Sequence, residues 1–177
     1  FIIAVTGSNG KTTTATLIYH ILKSAGLNVG LAGNIGVSFA SSVCDYSYDY
    51  YVLEVSSFQL DHSITFKPNI SVITNISPDH LDRYDEDFDL YTLSKYSIVK
   101  NQKPNDFFIY NKDCNVTKKI FSRVQIKSKS ISFSTKQNSG LKYSIYANNK
   151  NIISSINKEK FMLSTDKIQI KGIHNIQ

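Results

Sequence analysis

Long apolar runs, cysteines and, in the second half of the chain, acids are what this 177-residue sequence has least of. No stretch approaches the roughly 20 apolar residues that a membrane span needs. The apolar opening, Phe1 to Val5, is too short for a signal peptide and has no basic leader. Cys44 and Cys114 are far apart and show no metal-type spacing, which excludes a disulfide framework or a zinc cluster built on them. Buried free thiols in a reducing cytoplasm are the expectation. Internal repeats and low-complexity linkers are missing as well.

Charge is unevenly spread under a formal net +6. Residues 1–94 hold 4 basic and 10 acidic side chains and residues 95–177 hold 16 and 4, so the halves carry −6 and +12. A basic half invites a nucleic-acid reading. Its lysines, however, are scattered among strand-like residues without a compact motif or stacking aromatics, so they read as solvated faces.

What the chain does have is concentrated at its start. Thr6-Gly7-Ser8-Asn9-Gly10-Lys11-Thr12-Thr13-Thr14 follows an apolar strand and opens an amphipathic helix. Gly7 and Gly10 let consecutive backbone N–H groups of Gly7, Ser8, Asn9, Gly10, Lys11, Thr12 and Thr13 turn toward an anion, and the helix adds its positive dipole end. Lys11 supplies a mobile charge and the Thr12 hydroxyl a Mg²⁺ ligand. The loop therefore predicts binding of a nucleoside triphosphate. It is a variant form, because Val5 stands where the common pattern has its first glycine. Glycine–lysine pairs also occur in ligand-free surface turns; the order strand, loop, helix favours the phosphate reading.

With this length the chain is one domain or a little more, large enough to bury a sizeable core. Apolar residues recur at helical spacing over 12–25 (Ala15, Leu17, Ile18, Ile21, Leu22, Ala25), with Gly26 as the stop. Strands are predicted at 29–32, 50–55, 70–74 and 106–110, and a long helix at 86–100. The alternation gives an α/β fold: a P-loop-type, mostly parallel sheet flanked by helices, with ligands at the carboxyl ends of the strands. From 124 onward short segments at 124–126, 131–133, 143–146, 152–153 and 168–170 predict a smaller antiparallel β layer.

Each strand end downstream of the loop carries a polar group. Glu54 follows three apolar residues at a predicted sheet edge, where a carboxylate binds Mg²⁺ directly or through water. His80 stands just past another strand with Asp79 and Asp82 beside it; a lone histidine is more often a hydrogen-bonded bystander, but the shared edge makes it a candidate.

Taken together, the phosphate loop, Gly33-Asn34-Ile35-Gly36, Leu53-Glu54-Val55-Ser56-Ser57-Phe58-Gln59-Leu60 and Asn75-Ile76-Ser77-Pro78-Asp79-His80-Leu81-Asp82-Arg83-Tyr84 resemble the central domain of the Mur ligases, nearest to its D-glutamate-adding branch. The resemblance is strong to about residue 112 and weak through the β-rich part until Gly172-Ile173-His174-Asn175. It implies an ATP-dependent cytoplasmic ligase of peptidoglycan precursor synthesis. Such an enzyme joins D-glutamate to UDP-MurNAc-L-alanine through an acyl phosphate, working as a monomer with two Mg²⁺ ions and neither nucleic acid nor membrane as partner. By this resemblance Lys11 holds the transferring phosphate, Thr12 and Glu54 bind one Mg²⁺, and His80 helps bind a second. Lys95 falls where the family carries a carbamylated, metal-bridging lysine; without the resemblance it reads as a solvated helix lysine. Asn34, Ser56 and Gln59 fall at substrate-side positions, and Asn175 at the adenine side.

The resemblance further implies that residues 1–177 are the central ATP-binding domain, a fragment without the family's UDP-binding and carboxy-terminal domains and inactive alone. Sister ligases, including the folylpolyglutamate synthetase type, share the loop and metal logic. A P-loop switch or transport ATPase would want the full eight-residue loop and an acidic switch motif, and a nucleic-acid module would bind DNA in a salt-dependent way.

Overall fold

A computed structural model describes residues 1–135, 143–147, 151–156 and 159–165. Strands β1 (Ile2–Thr6), β2 (Val29–Gly33), β3 (Tyr50–Glu54), β4 (Ile70–Ile73), β5 (Phe107–Asn111), β6 (Lys129–Ser134), β7 (Tyr143–Ala147), β8 (Asn151–Ile156) and β9 (Glu159–Ser164) alternate with helices in the first two thirds. The helices are α1 (Lys11–Ser24), α2 (Phe39–Asp45), α3 (Ser57–Asp61), α4 (Phe88–Tyr96) and α5 (Asn115–Phe121). All nine strands form one sheet in the order β2-β3-β1-β4-β5-β6-β7-β8-β9. Pairing is parallel from β2 through β7, and antiparallel for β7–β8 and β8–β9.

Alternation along β1 sets the two faces. Ile3 and Val5 point to one side, where Val29, Val52, Val72 and Ala15 of α1 close over them. Ala4 points to the other, joining Leu53, Ile73, Phe108 and the buried rings of Tyr84, Tyr91 and Tyr96 beneath α3, α4 and α5. Such two-faced burial explains the near-continuous apolar runs of the central strands. It also explains Val5, fully buried on β1, which continues to Thr6: the strand extends to where the common loop pattern has already turned.

The sheet order places a topological switch at β1. The chain runs outward to β2 and β3 on one side and then returns to lay β4 on the other, opening a crevice at the carboxyl ends of β3, β1 and β4.

Several sequence expectations are modified. The antiparallel strands at the C-terminal end are present but continue the main sheet, and 131–133 lies in β6, parallel to β5. The segment 124–126 is not a strand, because the Val124 N–H bonds back to the Ile120 carbonyl as part of the α5 terminus. The helix at 86–100 is shorter: Asp87 caps α4 through its side chain, and the last turn tightens to a 3₁₀ form at Ser97–Val99. Leu17 and Ile21 lie exposed on α1, so its apolar stripe is wider than the face it buries. Cys44 is exposed and Cys114 half-buried, contrary to the expected pair of buried thiols; α2 is a short surface helix that buries only Ser42. Among the described residues no helix is long and apolar enough to cross a membrane. The strand expected at 168–170 lies outside the described residues.

One buried polar side chain joins the second half of the sheet. Gln102, 2% exposed, accepts from Ser71 Oγ (3.1 Å) and Ser128 Oγ (2.8 Å) and donates to the carbonyls of Pro68 (3.2 Å) and Phe107 (2.9 Å). Gln102→Leu leaves those partners buried without a bond, and is expected to destabilise the chain by ~3 kcal/mol in urea unfolding. A loss below ~1 kcal/mol would show that the network adds little.

Candidate functional site

The crevice is built on two glycines that no other residue fits. Gly7 has φ 147°, and a Cβ there would lie 2.0 Å from Thr74 Oγ1, so the loop leaves β1 pressed against the end of β4. Gly33 has φ 107°, and its Cβ would lie 2.2 Å from the Glu54 carbonyl, which brings the end of β2 onto the end of β3.

Between Gly7 and α1 the loop is strapped to the segment leaving β4. The Ser8 N–H donates to the Asn75 carbonyl (2.9 Å), and the Asn9 N–H to Asn75 Oδ1 (3.0 Å). Thr74 Oγ1 and Asn75 Nδ2 donate to the Asn9 carbonyl (2.6 and 3.0 Å). The Ser8 hydroxyl donates to the Ser77 carbonyl (2.8 Å), accepts from the Ser77 N–H (3.0 Å) and sits 2.9 Å from the Tyr91 hydroxyl. Gly10 then adopts the left-handed conformation (φ 80°) and caps α1 without a side-chain bond. The first turn of α1, with Thr12 and Thr13 exposed, therefore has free N–H groups facing the loop.

Two lysines converge on the loop from opposite sides. Lys11 Nζ donates to the carbonyls of Gly7 and Ser8, both at 3.0 Å. Lys95 Nζ donates to the same Gly7 carbonyl at 2.9 Å and lies 4.6 Å from the Tyr91 ring centroid. Lys95 is 2% exposed, so the solvated-lysine reading fails: Tyr91 and Lys95, one turn apart on α4, both face inward. Burial pushes its pKa down to about 8, the Lys11 charge adds to the depression, and Asp79 and Asp61 oppose it.

On the other side of the crevice Glu54 ends β3, 3% exposed. Thr12 Oγ1 donates to its Oε2 at 2.7 Å, and Asn34 Nδ2 to its Oε1 at 2.9 Å. Both donors are neutral, and no basic side chain lies within ion-pair distance of Glu54 among the described residues. A buried carboxylate in this condition suits a divalent cation, and hydroxyl, carboxylate and amide oxygens are the hard donors Mg²⁺ takes. Among the described residues no three His, Cys, Asp or Glu side chains converge into a ready-made cage. One carboxylate with a hydroxyl is nevertheless the usual protein share of a site completed by phosphates and water.

Ser56 and Gln59 cap α3 reciprocally: the Gln59 N–H donates to Ser56 Oγ (3.3 Å) and the Ser56 N–H to Gln59 Oε1 (2.9 Å). Gln59 also lines, with Gly33, Glu54 and Phe66, a cleft of ≈ 130 Å³. His80 stands apart from Thr12 and Glu54. It is exposed, in the left-handed region (φ 51°), with Nε2 3.6 Å from Asp79 Oδ2 and its ring edge against Phe58 at 5.5 Å. Asn175 lies outside the described residues.

The structure thus joins Thr12, Asn34 and Glu54 directly, and Lys11 and Lys95 through the Gly7 carbonyl. Sequence reasoning passed over Tyr91, Thr74 and the strapping roles of Asn75 and Ser77. Their signal was available in part: Thr74-Asn75 follows β4 as Gly7-Ser8 follows β1, in neighbouring parallel strands paired through Thr6 and Ile73. Tyr91 had no local signal, since its hydroxyl meets Ser8 across 83 residues of sequence.

Comparison with known proteins gives this geometry a family. Residues 5–177 match the family described as Mur ligase middle domain. The UDP-N-acetylmuramoylalanine–D-glutamate ligase of Christiangramia forsetii is 42% identical over 174 residues, covering 98% of this chain and 39% of that protein. The chain thus spans about two fifths of the length of the curated relatives it matches. A solved UDP-N-acetylmuramoyl-L-alanyl-D-glutamate–2,6-diaminopimelate ligase shares the fold with TM-score 0.73 at 22% identity, over 99% of this chain and 40% of that one. So does the MurF ligase of Thermotoga maritima, solved in complex with ADP, with TM-score 0.64 at 20% identity over 92% of this chain and 40% of that one. On the match over residues 5–177 and these relatives, the chain belongs to the Mur ligase middle-domain family.

Proposed function

We propose that this chain is the ATP- and Mg²⁺-handling central domain of a ligase that adds D-glutamate to UDP-MurNAc-L-alanine. The ligase would act as a cytoplasmic monomer on small molecules, without nucleic acid or membrane. The observation that carries the reading is Glu54, a buried carboxylate without a basic partner, bonded to Thr12 at the mouth of the phosphate loop. The D-glutamate ligase relatives and the ADP held by the Thermotoga protein supply the substrates.

The reaction has two steps. The γ-phosphoryl group of ATP passes to the alanyl carboxylate, giving ADP and an acyl phosphate. The D-glutamate amine then attacks the acyl carbon and phosphate leaves with the electron pair of the C–O bond. Both steps build negative charge on oxygen. Thr12 and Glu54 would hold one Mg²⁺, with His80 and a carbamylated Lys95 at a second; bound Mg²⁺ supplies Lewis-acid neutralisation of that charge. The loop N–H groups and the α1 terminus receive the phosphates. Lys11 leaves the Gly7 and Ser8 carbonyls, which carry only partial charge, for a full anion. Asn34, Ser56 and Gln59 would take the acyl-substrate side, and Asn175 the adenine contact. With the charge so distributed, positioning does most of the remaining work.

The Lys95 amine is the nucleophile for CO₂: a neutral amine and CO₂ give a carbamate and release one proton. A pKa near 8 leaves roughly a tenth of it neutral at pH 7 and half at pH 8. Burial thus makes carbamate formation accessible at ordinary pH.

The deciding experiment is phosphate release by the full-length parent with Mg-ATP and UDP-MurNAc-L-alanine, adding D-glutamate, L-glutamate, L-lysine or meso-diaminopimelate in turn. Release that requires D-glutamate is expected. Dependence on another amino acid moves the protein to a sister ligase, and indifference to all of them refutes the ligase reading. In the same assay Lys11→Ala is expected to lose on the order of a hundredfold in rate, about 3 kcal/mol of transition-state stabilisation; near-wild-type turnover would remove Lys11 from the mechanism. For Lys95, the folded pKa of about 8 lies below the unfolded value of 10.5, so between them the unfolded chain binds more protons. Stability from this group is therefore expected to rise with pH across that window and to be flat below it. Urea melts of wild type and Lys95→Met at pH 7.5, 8.5 and 9.5 should diverge in favour of wild type as pH rises; a constant difference would place Lys95 in the ordinary lysine range.

A further inference from the structure

The chain has 18 lysines and only two arginines, Arg83 and Arg123, and the structure treats the arginines differently. Arg123 is bound to Asp89, Nη1 to Oδ2 at 2.7 Å, which fixes α5 to the start of α4. The Arg83 guanidinium has no carboxylate within ion-pair distance and no hydrogen-bond partner among the described residues. Its guanidinium carbon lies 4.2 Å from the centroid of the Phe58 ring.

That position is held from several directions. The turn Leu81–Tyr84 is bracketed by three left-handed non-glycine residues, His80 (φ 51°), Asp85 (φ 51°) and Glu86 (φ 60°), a conformation that persists only where the surroundings over-determine it. Backbone bonds tie the turn internally: the Arg83 N–H reaches the His80 carbonyl (3.2 Å), Glu86 N–H reaches Leu81 (3.0 Å) and Asp87 N–H reaches Tyr84 (2.7 Å). Next in sequence, buried Tyr84 anchors it to the core through its hydroxyl, which donates to Asp61 Oδ2 (2.7 Å) and lies 3.2 Å from Ser94 Oγ. Phe58 stands on α3, between the capping residues Ser56 and Gln59, and stacks on Tyr84 at 6.3 Å. The same ring receives the His80 edge, so Phe58 is a shared platform for both side chains.

A guanidinium lying on an aromatic face is attracted by the ring while its N–H donors stay available in its own plane. A planar fork with free donors is the geometry that receives two oxygens of one carboxylate or phosphate. Lysine, which the chain uses almost everywhere else, offers a point charge without that fork. Every substrate in the reaction proposed above is an anion. The loop, Lys11 and α1 serve the triphosphate at the end of β1, whereas Arg83 stands with α3 and His80 on the side of Ser56 and Gln59.

We infer that Arg83, held over Phe58, is a substrate-binding residue that takes a carboxylate or phosphate group of one anionic substrate in a bidentate hydrogen bond. This assignment rests on the ligase reading and adds a specificity contact to it. The carboxylate of the incoming amino acid and the diphosphate of the sugar nucleotide share the required chemistry, and titration separates them.

The test uses the full-length parent with Arg83→Met, Arg83→Lys and Phe58→Leu. Calorimetry follows Mg-ATP, UDP-MurNAc-L-alanine, and D-glutamate added to enzyme saturated with UDP-MurNAc-L-alanine and a non-hydrolysable ATP analogue. Arg83→Met is expected to weaken one anionic ligand by about tenfold or more and leave the other two within about twofold, the weakened ligand identifying the source of the oxyanion. Arg83→Lys should recover only part of the loss, and Phe58→Leu should weaken the same ligand alone. Unchanged binding of all three ligands overturns the assignment. Parallel weakening of all three with a lowered melting temperature also overturns it, because it marks a structural role. If the wild type binds the three ligands but forms no amide with D-glutamate, the ligase reading fails while the same titrations still decide the role of Arg83.

Discussion

A carboxylate 3% exposed at the end of a central strand, without a basic partner among the described residues, is the constraint around which the crevice is arranged. Removing an ionised Glu54 from water costs several kcal/mol unless hydrogen bonds and a counter-charge offset it. Two neutral donors, Thr12 and Asn34, meet the hydrogen-bond part. Each needs the backbone brought unusually close: Asn34 reaches Glu54 because Gly33 lets β2 end against the Glu54 carbonyl, and the Asn34 N–H bonds that same carbonyl at 2.8 Å. Thr12 reaches it because the loop, strapped to 74–77, sets the first turn of α1 beside β3. Among the described residues no counter-charge meets it, and in the function proposed above a metal–nucleotide complex would supply one.

The strap has a second consequence. Ser8 and Asn9 are tied to Thr74, Asn75 and Ser77, so the segment that carries Asp79 and His80 and the loop that meets phosphate form one hydrogen-bonded unit. Tyr91 adds α4 to that unit through Ser8, and its ring lies beneath Lys95. The residues that the proposed function puts on the nucleotide and substrate sides therefore belong to one hydrogen-bonded unit, which would suit a reaction in which a group transferred on one side must arrive at a carboxylate on the other.

Legibility in the sequence followed the range of the interactions. The loop, the strand end bearing Glu54 and the α/β alternation depend on local chemistry and were readable. The capping box of Ser56 and Gln59 has a recognisable spacing too, although those residues stood out for substrate and not for helix geometry. The burial of Lys95 was unreadable from composition, since a lysine is by type a surface residue; helical spacing does put it on the face of Tyr91, Ile98 and Val99, and packing of α4 against the loop buries that face. The parallel entry of β6 and β7 was also missed, since short strands between polar turns look antiparallel until the register with β5 is known. Phe58 gave an apolar letter beside a helix cap, with nothing local to show that Arg83 and His80 would share its ring.

Lys11 and Lys95 bring two cationic groups close together on the loop. Their ammonium nitrogens lie 3.0 and 2.9 Å from one carbonyl oxygen, so they are no more than about 6 Å apart. At an effective dielectric of about 20, two unit charges at that separation repel by roughly 3 kcal/mol. A carbonyl dipole and the Tyr91 ring offset part of this, while burial first and the Lys11 charge second hold the Lys95 pKa down. Three events relieve the strain: deprotonation of Lys95, its conversion to an anionic carbamate, or arrival of a phosphate between the two lysines. In the function proposed above, each would move the site toward the charge distribution that phosphoryl transfer needs. The repulsion is therefore a ground-state cost that favours occupation of the crevice, and it exists only because α4 carries a lysine into a space where its charge is poorly solvated.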